Sequence, residues 1–131
     1  MTRKTTAILS LVIAGTFVPL LSPGIAIANS TLKVACGSGQ VCIYPEVNYG
    51  GTPYVRRATD SSTSLVGTPV QDKTFSVINN GTSPRTARIY RSNNYSGSFT
   101  CIQPGGRIAD LRGFPVGQWG SSLKLDNDKC G

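Results

Sequence analysis

One stretch of the sequence occurs twice and decides the fold: IYPEVNYGG at residues 43–51 and IYRSNNYSG at residues 89–97. Residue 89 lies 46 positions after residue 43. The same offset aligns LVGTPV at residues 65–70 with LRGFPV at residues 111–116, without a gap. A fixed period carried by aromatic, glycine and proline positions indicates a duplicated structural unit.

Each copy contains the pattern Tyr-x4-Tyr-x-Gly, and a serine follows 25 residues after the glycine. The positions are Tyr44, Tyr49, Gly51 and Ser76 in the first copy, and Tyr90, Tyr95, Gly97 and Ser122 in the second. This pattern predicts a hairpin that folds back onto its own sheet. The glycine takes a backbone angle closed to other residues, and the serine hydroxyl bonds otherwise unpaired backbone groups.

Short strands separated by Gly, Pro and Asn fill the rest of the chain. The predicted strands are residues 41–44, 54–57, 73–78, 87–90, 98–103 and 121–125, with a turn at 79–81. Leu65 and Leu111 are isolated apolar residues that we expect to plug the core, and residues 108–111 fit at most one helical turn. Two copies of a four-strand unit predict an all-β sandwich of two Greek-key motifs, at about residues 40–82 and 86–128.

The first 28 residues have the pattern of a secretory signal peptide. A basic start at Arg3 and Lys4 precedes an almost wholly apolar run at residues 7–21, and Ala26-Ile27-Ala28 fits a cleavage site. The alternative, a membrane anchor, is disfavoured because the apolar run is short for a membrane span. We therefore predict a secreted, extracellular protein without a membrane span, whose single domain comprises residues 29–131.

Charge and composition point to a protein that stays dissolved outside the cell. The chain has 13 lysine and arginine residues, six aspartate and glutamate residues and no histidine, for a net charge of +7. The basic residues are dispersed, which favours a solvating surface over specific nucleic-acid binding. Weak association with an anionic cell envelope, substrate or nucleic acid is the alternative.

All four cysteines, Cys36, Cys42, Cys101 and Cys130, lie in the predicted mature chain. An even number in a small exported domain indicates two disulfides. Three pairings are open; we favour Cys36–Cys42, which pins the N-terminus, and Cys101–Cys130, which ties down the C-terminus. A zinc site is the alternative, but the spacing lacks paired C-x-x-C motifs and histidine is absent.

The repeated tyrosine, glycine and serine positions resemble the βγ-crystallin Greek-key motif, over roughly residues 36–128. With the predicted signal peptide and the early Cys-x5-Cys, the chain is similar to the bacterial peptidase-inhibitor family of the Streptomyces metalloproteinase inhibitor. The resemblance implies a secreted protein-binding module that inhibits a secreted peptidase, specifically a metalloproteinase. We expect a monomer.

Two segments are candidates for contact with a peptidase. The first is Cys101-Ile102-Gln103-Pro104, where Ile102 is an apolar residue of the kind that thermolysin-like enzymes accept after the scissile bond; the same residues also read as an ordinary strand. The second contains Phe114 and Trp119, aromatic residues typical of interface hot spots. For Trp119 we expect core packing rather than contact.

The resemblance also raises the question of calcium, which microbial βγ-crystallins commonly bind through the motif Asn/Asp-Asn/Asp-x-x-Ser/Thr-Ser. The matching windows, residues 71–76 and 117–122, leave only Asp72, Ser121 and Ser122 as weak candidate ligands. Phe75 stands where the first window needs a hydroxyl, and the second lacks a carboxylate. Calcium requires six to eight oxygen ligands, so we predict no cofactor.

Catalysis is not expected, because a chain without histidine cannot build a Ser-His-Asp or Cys-His arrangement. The six acidic residues are scattered and show no paired-carboxylate pattern of the glycosidase type. The alternatives to an inhibitor are a non-inhibitory extracellular structural module, with or without weak calcium binding, and a secreted toxin or antimicrobial protein.

Overall fold

The computed structural model describes residues 34–131 and the single residue Gly15. The predicted signal peptide, apart from Gly15, and the predicted mature N-terminus at Asn29 lie outside the described residues. The strands are β1 Gln40–Tyr44, β2 Tyr54–Arg57, β3 Thr63–Ser64, β4 Ser76–Asn80, β5 Thr86–Ser92, β6 Ser96–Ile102, β7 Arg107–Ile108 and β8 Ser122–Asp126. Two 3-10 turns occupy Val47–Tyr49 and Leu111–Gly113.

The strands form two four-stranded antiparallel sheets in the orders β2-β1-β4-β7 and β3-β8-β5-β6. Each sheet takes three strands from one copy of the repeat and the third strand of the other copy. Strand β3 of the first copy pairs with β8, and β7 of the second copy pairs with β4. This exchange interlocks the two Greek keys, and the predicted fold class is confirmed.

The core lies between the sheets and follows the two-residue period of the strands. Val41 and Ile43 of β1 point inward, as do Ala87 and Ile89 of β5. Both isolated leucines are fully buried. The remaining buried core members are Ala58, Leu65, Val70, Val77, Ile102, Leu111, Val116, Leu123 and Leu125. The two copies thus contribute corresponding side chains to one shared core.

The structure corrects several predicted elements. Strand β4 runs to Asn80, through residues that the sequence predicts as a turn. Asn79 is buried there, and its side-chain amide donates to the backbone oxygens of Arg85 and Ile102. The short strands β3 and β7 lie outside the predicted strands, and β7 includes Ile108, which the sequence assigns to a possible helical turn. Each spans two residues and exists only through pairing with the other copy.

Two disulfides fasten the ends of the described chain. Cys36 is bonded to Cys42 and Cys101 to Cys130, which is the pairing that the sequence favours. No helix within residues 34–131 has the length and apolar character to cross a bilayer.

Candidate protein-binding surface

The two tyrosine hairpins are held by serine hydroxyls from the last strand of each copy. In the first copy Ser76 Oγ accepts from Tyr49 N at 2.9 Å and donates to Glu46 O at 2.7 Å. In the second, Ser122 Oγ accepts from Tyr95 N at 3.1 Å and donates to Ser92 O at 2.8 Å. These bonds satisfy hairpin backbone groups that have no partner strand.

The hairpin backbone explains why the bonds are needed. Tyr49 and Tyr95 have positive φ angles of 62° and 55°, a conformation that a bulky residue rarely adopts. Gly97 has a φ of 79°, and a Cβ atom there would lie 2.9 Å from Ser92 Oγ. The serines therefore hold a strained hairpin in place. These hydrogen bonds explain Ser76 and Ser122 as structural residues of the fold.

The C-terminal tail is clamped onto the outer face of β5 by one arginine. Arg88, which is buried, donates to Asp126 Oδ1 at 2.7 Å and to Lys129 O at 2.9 Å. Partial burial raises the pKa of Asp126, but hydrogen bonds from Lys124 and Asp128 and the charge of Arg88 outweigh it, so its pKa is lowered. Together with the Cys101–Cys130 disulfide, this clamp fixes the end of the chain.

The first predicted contact segment is part of the folded core. Ile102 is 2% exposed at the end of β6, and Cys101 beside it is half-buried in a disulfide. The prediction that Ile102 contacts a peptidase is wrong, because a side chain in the core cannot enter a cleft without unfolding of β6. The alternative interpretation of this segment, as an ordinary strand, agrees with the structure.

The second segment forms a surface loop, here called the aromatic loop and defined as Leu111–Gly120. Phe114 is 44% exposed and Trp119 is 47% exposed. The expectation that Trp119 packs in the core is therefore wrong. The buried residues Leu111 and Val116 anchor the loop instead, and the positive φ of Gly117 turns the chain outward between the second anchor and Trp119.

Three successive backbone turns hold the aromatic loop rigid. Phe114 N donates to Leu111 O at 2.9 Å, Gly117 N to Phe114 O at 2.9 Å and Trp119 N to Val116 O at 3.3 Å. A fourth bond joins the loop to β6, where Thr100 Oγ1 accepts from Val116 N.

The corresponding loop of the first copy, Leu65–Thr74, has the same three turns. They run from Thr68 N to Leu65 O, from Gln71 N to Thr68 O and from Lys73 N to Val70 O. Threonine and lysine thus occupy the backbone positions that hold Phe114 and Trp119 in the second copy. This alignment is visible in the sequence at the offset of 46 and is the signal that could have placed Trp119 on the surface.

Lys73, a cation that sequence reasoning did not single out, lies beside the aromatic loop. Asp72 N donates to Gly120 O and Thr74 N donates to Gln118 O, so these bonds bring Lys73 opposite Trp119. Lys73 is exposed. An exposed lysine and an exposed indole therefore lie at the junction of the two copies.

At the start of the aromatic loop, Arg112 is paired with Asp110. The guanidinium donates to both carboxylate oxygens, at 2.9 and 2.7 Å. Hydrogen bonds from the side chain and the backbone N–H of Arg112 lower the pKa of Asp110 from 3.8 to about 2. The pair is exposed, so it orders the loop entrance more than it stabilises the fold.

The two calcium windows do not supply a donor set for the ion. Asp72 is exposed, Phe75 takes the hydroxyl position, and Ser122 Oγ already forms two hydrogen bonds with the hairpin. The Ser121 backbone bonds Tyr90 and Leu65. Among the described residues there is no group of three or more His, Cys, Asp or Glu side chains that could hold a metal. The candidate side chains by themselves fall short of the six to eight oxygens that calcium requires.

Solved structures identify the class of protein that this geometry defines. The chain is similar to a domain from a study of the evolution of the eye lens βγ-crystallin fold (TM-score 0.61, 17% identity, 73% of this chain and 94% of that one). It is also similar to the Ca2+-bound βγ-crystallin domain of Abundant Perithecial Protein from Neurospora crassa (TM-score 0.57, 19% identity, 75% and 100%). A βγ-crystallin from an archaeon gives a TM-score of 0.52 at 26% identity (69% and 100%). The chain has the βγ-crystallin fold.

The family is defined by sequence. The profile of peptidase inhibitor family I36 matches residues 30–102, and the chain belongs to that family. Comparison with curated proteins gave no significant match. The matched segment ends at the last residue of β6, before the aromatic loop.

Proposed function

We propose that the protein is a secreted inhibitor of a metalloproteinase and that the aromatic loop makes the contact. The single observation behind the choice of loop is the exposure of Phe114 and Trp119 at positions where the duplicated loop carries Thr68 and Lys73. Aromatic side chains that the fold does not need are costly to leave in water. Two exposed aromatic side chains on one loop suit a surface that a partner covers.

The loop has the properties that inhibition by occupancy requires. Its backbone is fixed by three turns, two buried anchors and the bond to Thr100, so little conformational entropy is lost on binding. Tryptophan is among the residues that dominate interface energies when they enter a pocket. Inhibition of this kind needs no proton transfer or nucleophile, which agrees with a chain that lacks histidine.

The choice of a metalloproteinase rests on the resemblance to the Streptomyces inhibitor family. Thermolysin-like enzymes accept a large apolar residue after the scissile bond, and Phe114 offers one. Pro115 follows it directly and has no backbone N–H to donate to the enzyme. We infer that Phe114 enters the apolar pocket while Pro115 disfavours the alignment needed for cleavage.

Titration of the purified mature protein against thermolysin tests the proposal. We expect stoichiometric loss of activity on a peptide substrate, with the inhibitor recovered uncleaved. Subtilisin, a serine peptidase, serves as the control for target class and should stay active. No inhibition of thermolysin at micromolar excess would contradict the metalloproteinase proposal, and inhibition of subtilisin alone would move the target to serine peptidases.

Single substitutions test the contact loop separately. Trp119→Ala and Phe114→Ala should each raise the inhibition constant by about 30-fold, which corresponds to about 2 kcal/mol for a hot-spot residue. Val55→Ala is the matched control, because Val55 is an exposed apolar residue on β2, at the sheet edge opposite β7, the strand that precedes the aromatic loop. Equal effects of all three substitutions would contradict the assignment of the loop.

We further propose that the chain is exported, cleaved before Asn29 and monomeric. Two disulfides support an oxidising compartment, where such bonds persist. N-terminal sequencing of the secreted product and its elution volume in gel filtration check both statements. A product that retains residues 1–28, or a dimer at micromolar concentration, would contradict them.

A further inference from the structure

A second surface feature is an open groove beside the tyrosine hairpin of the second copy. It is lined by Ser64, Val66, Asn93, Asn94, Tyr95 and Ser122. No charged side chain lines it, although the chain has a net charge of +7. The open groove therefore differs from the general character of the surface.

The first copy has a counterpart groove, lined by Pro45, Glu46, Val47, Phe75 and Arg112. The counterpart groove is the larger, at about 430 Å³ against about 330 Å³, and the two linings also differ in charge. The Arg112–Asp110 ion pair takes the positions that Val66 and Ser64 hold in the open groove. One groove is charged and the other is neutral.

The backbone contacts beside the two grooves also differ. Asn48 N in the first hairpin donates to Ala109 O at 2.7 Å, which ties that hairpin to the opposite copy. Within residues 34–131, the corresponding Asn94 N has no backbone hydrogen bond to Thr63. The second hairpin thus leaves a gap next to Ser64 and Val66.

One residue of the groove wall, Tyr95, belongs to a row of aromatic rings that continues outside the groove, where the Arg88 guanidinium lies over Phe99. The Tyr90 ring lies 6.3 Å from Tyr95 and 5.1 Å from Phe99, measured between centroids. Tyr95 is 37% exposed and Phe99 is 43% exposed. In the first copy the equivalent of Tyr90 is Tyr44, which is fully buried and donates its hydroxyl to Val34 O. The equivalent of Phe99 is Pro53.

This combination has a specific ligand chemistry. Aromatic faces pack against the C–H surfaces of sugar rings, while the Asn93 and Asn94 amides and the Ser64 hydroxyl can bond sugar hydroxyls. A concave site with apolar walls and a few polar groups is the usual form of a small-ligand site. The absence of lining charge favours a neutral ligand over an anionic one. We propose that the open groove binds a neutral oligosaccharide.

The site is independent of peptidase inhibition, and its test does not use an enzyme. The full mature chain is titrated with cellohexaose, with chitohexaose and, as the anionic comparison, with a heparin hexasaccharide, in 150 mM salt. Backbone and aromatic NMR signals report binding. We expect saturable shifts of Tyr95, Phe99 and Asn94 signals with a neutral hexasaccharide at about 1 mM or below.

Two variants locate the binding. Val66→Arg gives the open groove the side chain of its counterpart and should weaken binding at least about tenfold. Asn94→Gly removes an amide at a position with a φ of 58°, which glycine tolerates, and should also weaken binding. Val55→Arg, at an exposed valine of the other sheet, is the matched control and should change nothing.

Three outcomes would overturn the proposal. The first is that neither neutral sugar saturates the signals up to about 10 mM, and the second is that Val66→Arg leaves binding unchanged. The third is that the heparin fragment alone binds, which would reflect net charge. Thermolysin inhibition by Val66→Arg should stay intact. Failure of the inhibition assay and failure of the sugar titration are therefore separate results.

Discussion

The two loops Leu65–Thr74 and Leu111–Gly120 share three backbone turn hydrogen bonds and differ in their surface. Both have the same three turns and the same pair of buried anchors. Only the second exposes two aromatic rings. Because the first loop folds with Thr68 and Lys73, the fold alone does not require Phe114 and Trp119. The first copy therefore serves as a control for the second. Residues that both copies share are explained by the fold, and residues that differ between the copies need another explanation.

The largest expected effect comes from making the second loop like the first. The double substitution Phe114→Thr and Trp119→Lys should weaken thermolysin inhibition by about 1000-fold, the product of two hot-spot losses. The melting temperature should change little, because both side chains are exposed. Inhibition constants and thermal unfolding of the variant measure the two quantities.

The matched control for this swap is Thr68→Ala with Lys73→Ala in the first copy. We expect less than about a threefold change in inhibition from this pair, with Lys73 contributing through its position opposite Trp119. If both double variants weaken inhibition equally, the contact surface is shared by the two loops and the comparison between them fails.

The next effect concerns the two ends of the chain, which are fastened differently. Cys36–Cys42 spans six residues and Cys101–Cys130 spans 29. On the loop-entropy estimate, replacing both cysteines of the second disulfide by serine should cost about 3.5 kcal/mol of unfolding free energy. The same change in the first should cost about 2 kcal/mol.

Urea denaturation of the two double-serine variants checks this order. The C-terminal disulfide lies next to the Arg88 clamp, which remains in both variants. A larger loss of unfolding free energy for Cys36→Ser with Cys42→Ser would contradict the order predicted from loop length. It would show that the Cys36–Cys42 disulfide also matters by holding the segment that covers Tyr44.

Ser76 and Ser122 form equivalent hydrogen bonds in the two copies, so their substitution should cost the same stability. Ser76→Ala and Ser122→Ala each leave the amide of a left-handed tyrosine without its hydrogen bond. Both serines are buried, so each substitution should cost about 1–3 kcal/mol. Denaturation midpoints of the two variants test the equivalence. A negligible cost for either would mean that water replaces the hydroxyl in that hairpin.

The sequence predicts most of this scaffold because the duplicated motif contains the chemistry of the fold. The tyrosines, glycines and serines specify each hairpin locally, and the leucine plugs identify the shared core. The two-residue strands β3 and β7 could not be predicted, since they form only by pairing across copies. Asn79 was missed because a polar residue followed by Asn-Gly has the pattern of a turn.

The candidate surface was predicted by residue type more than by position. Phe114 and Trp119 were identified as possible anchors, but the expected burial of Trp119 was wrong. Its alignment with Lys73 marks the position as a surface position. Ile102 was correctly predicted in a strand, but the alternative of a contact loop stayed open because a strand residue and an exposed loop residue have the same local pattern. Only the pairing of β5 with β6 separates the two.

A smaller effect follows from charge, which is also unequal between the copies. Asp110 and Asp126 lie in the second copy, and the first has Ser64 and Asn80 at the equivalent positions. The folded pKa of each aspartate is lowered, so its stabilising effect is present at neutral pH. That effect is lost as the pH falls below the ordinary pKa of 3.8 and through the folded pKa, which for Asp110 is about 2.

Asp126→Asn tests the less exposed of the two carboxylates, which joins Arg88 and Lys124. The variant should be less stable than the parent at pH 7 by on the order of 1 kcal/mol. The difference between them should shrink as the pH approaches 2. A difference that stays constant with pH would mean that the Asp126 carboxylate acts through packing and not through charge.

The smallest expected effect is that of calcium. The two windows bond each other across the junction of the copies, and a Cβ atom at Gly120 would lie 2.5 Å from Thr74 Cγ2, so the loops have little room to rearrange around an ion. Calcium at 10 mM should shift the melting temperature by less than about 1 °C, because a ligand stabilises only the state that binds it. Magnesium at the same concentration is the control for ionic strength. A saturable rise of several degrees with calcium alone would mean that backbone oxygens near Asp72 and Ser121 complete a site despite Phe75.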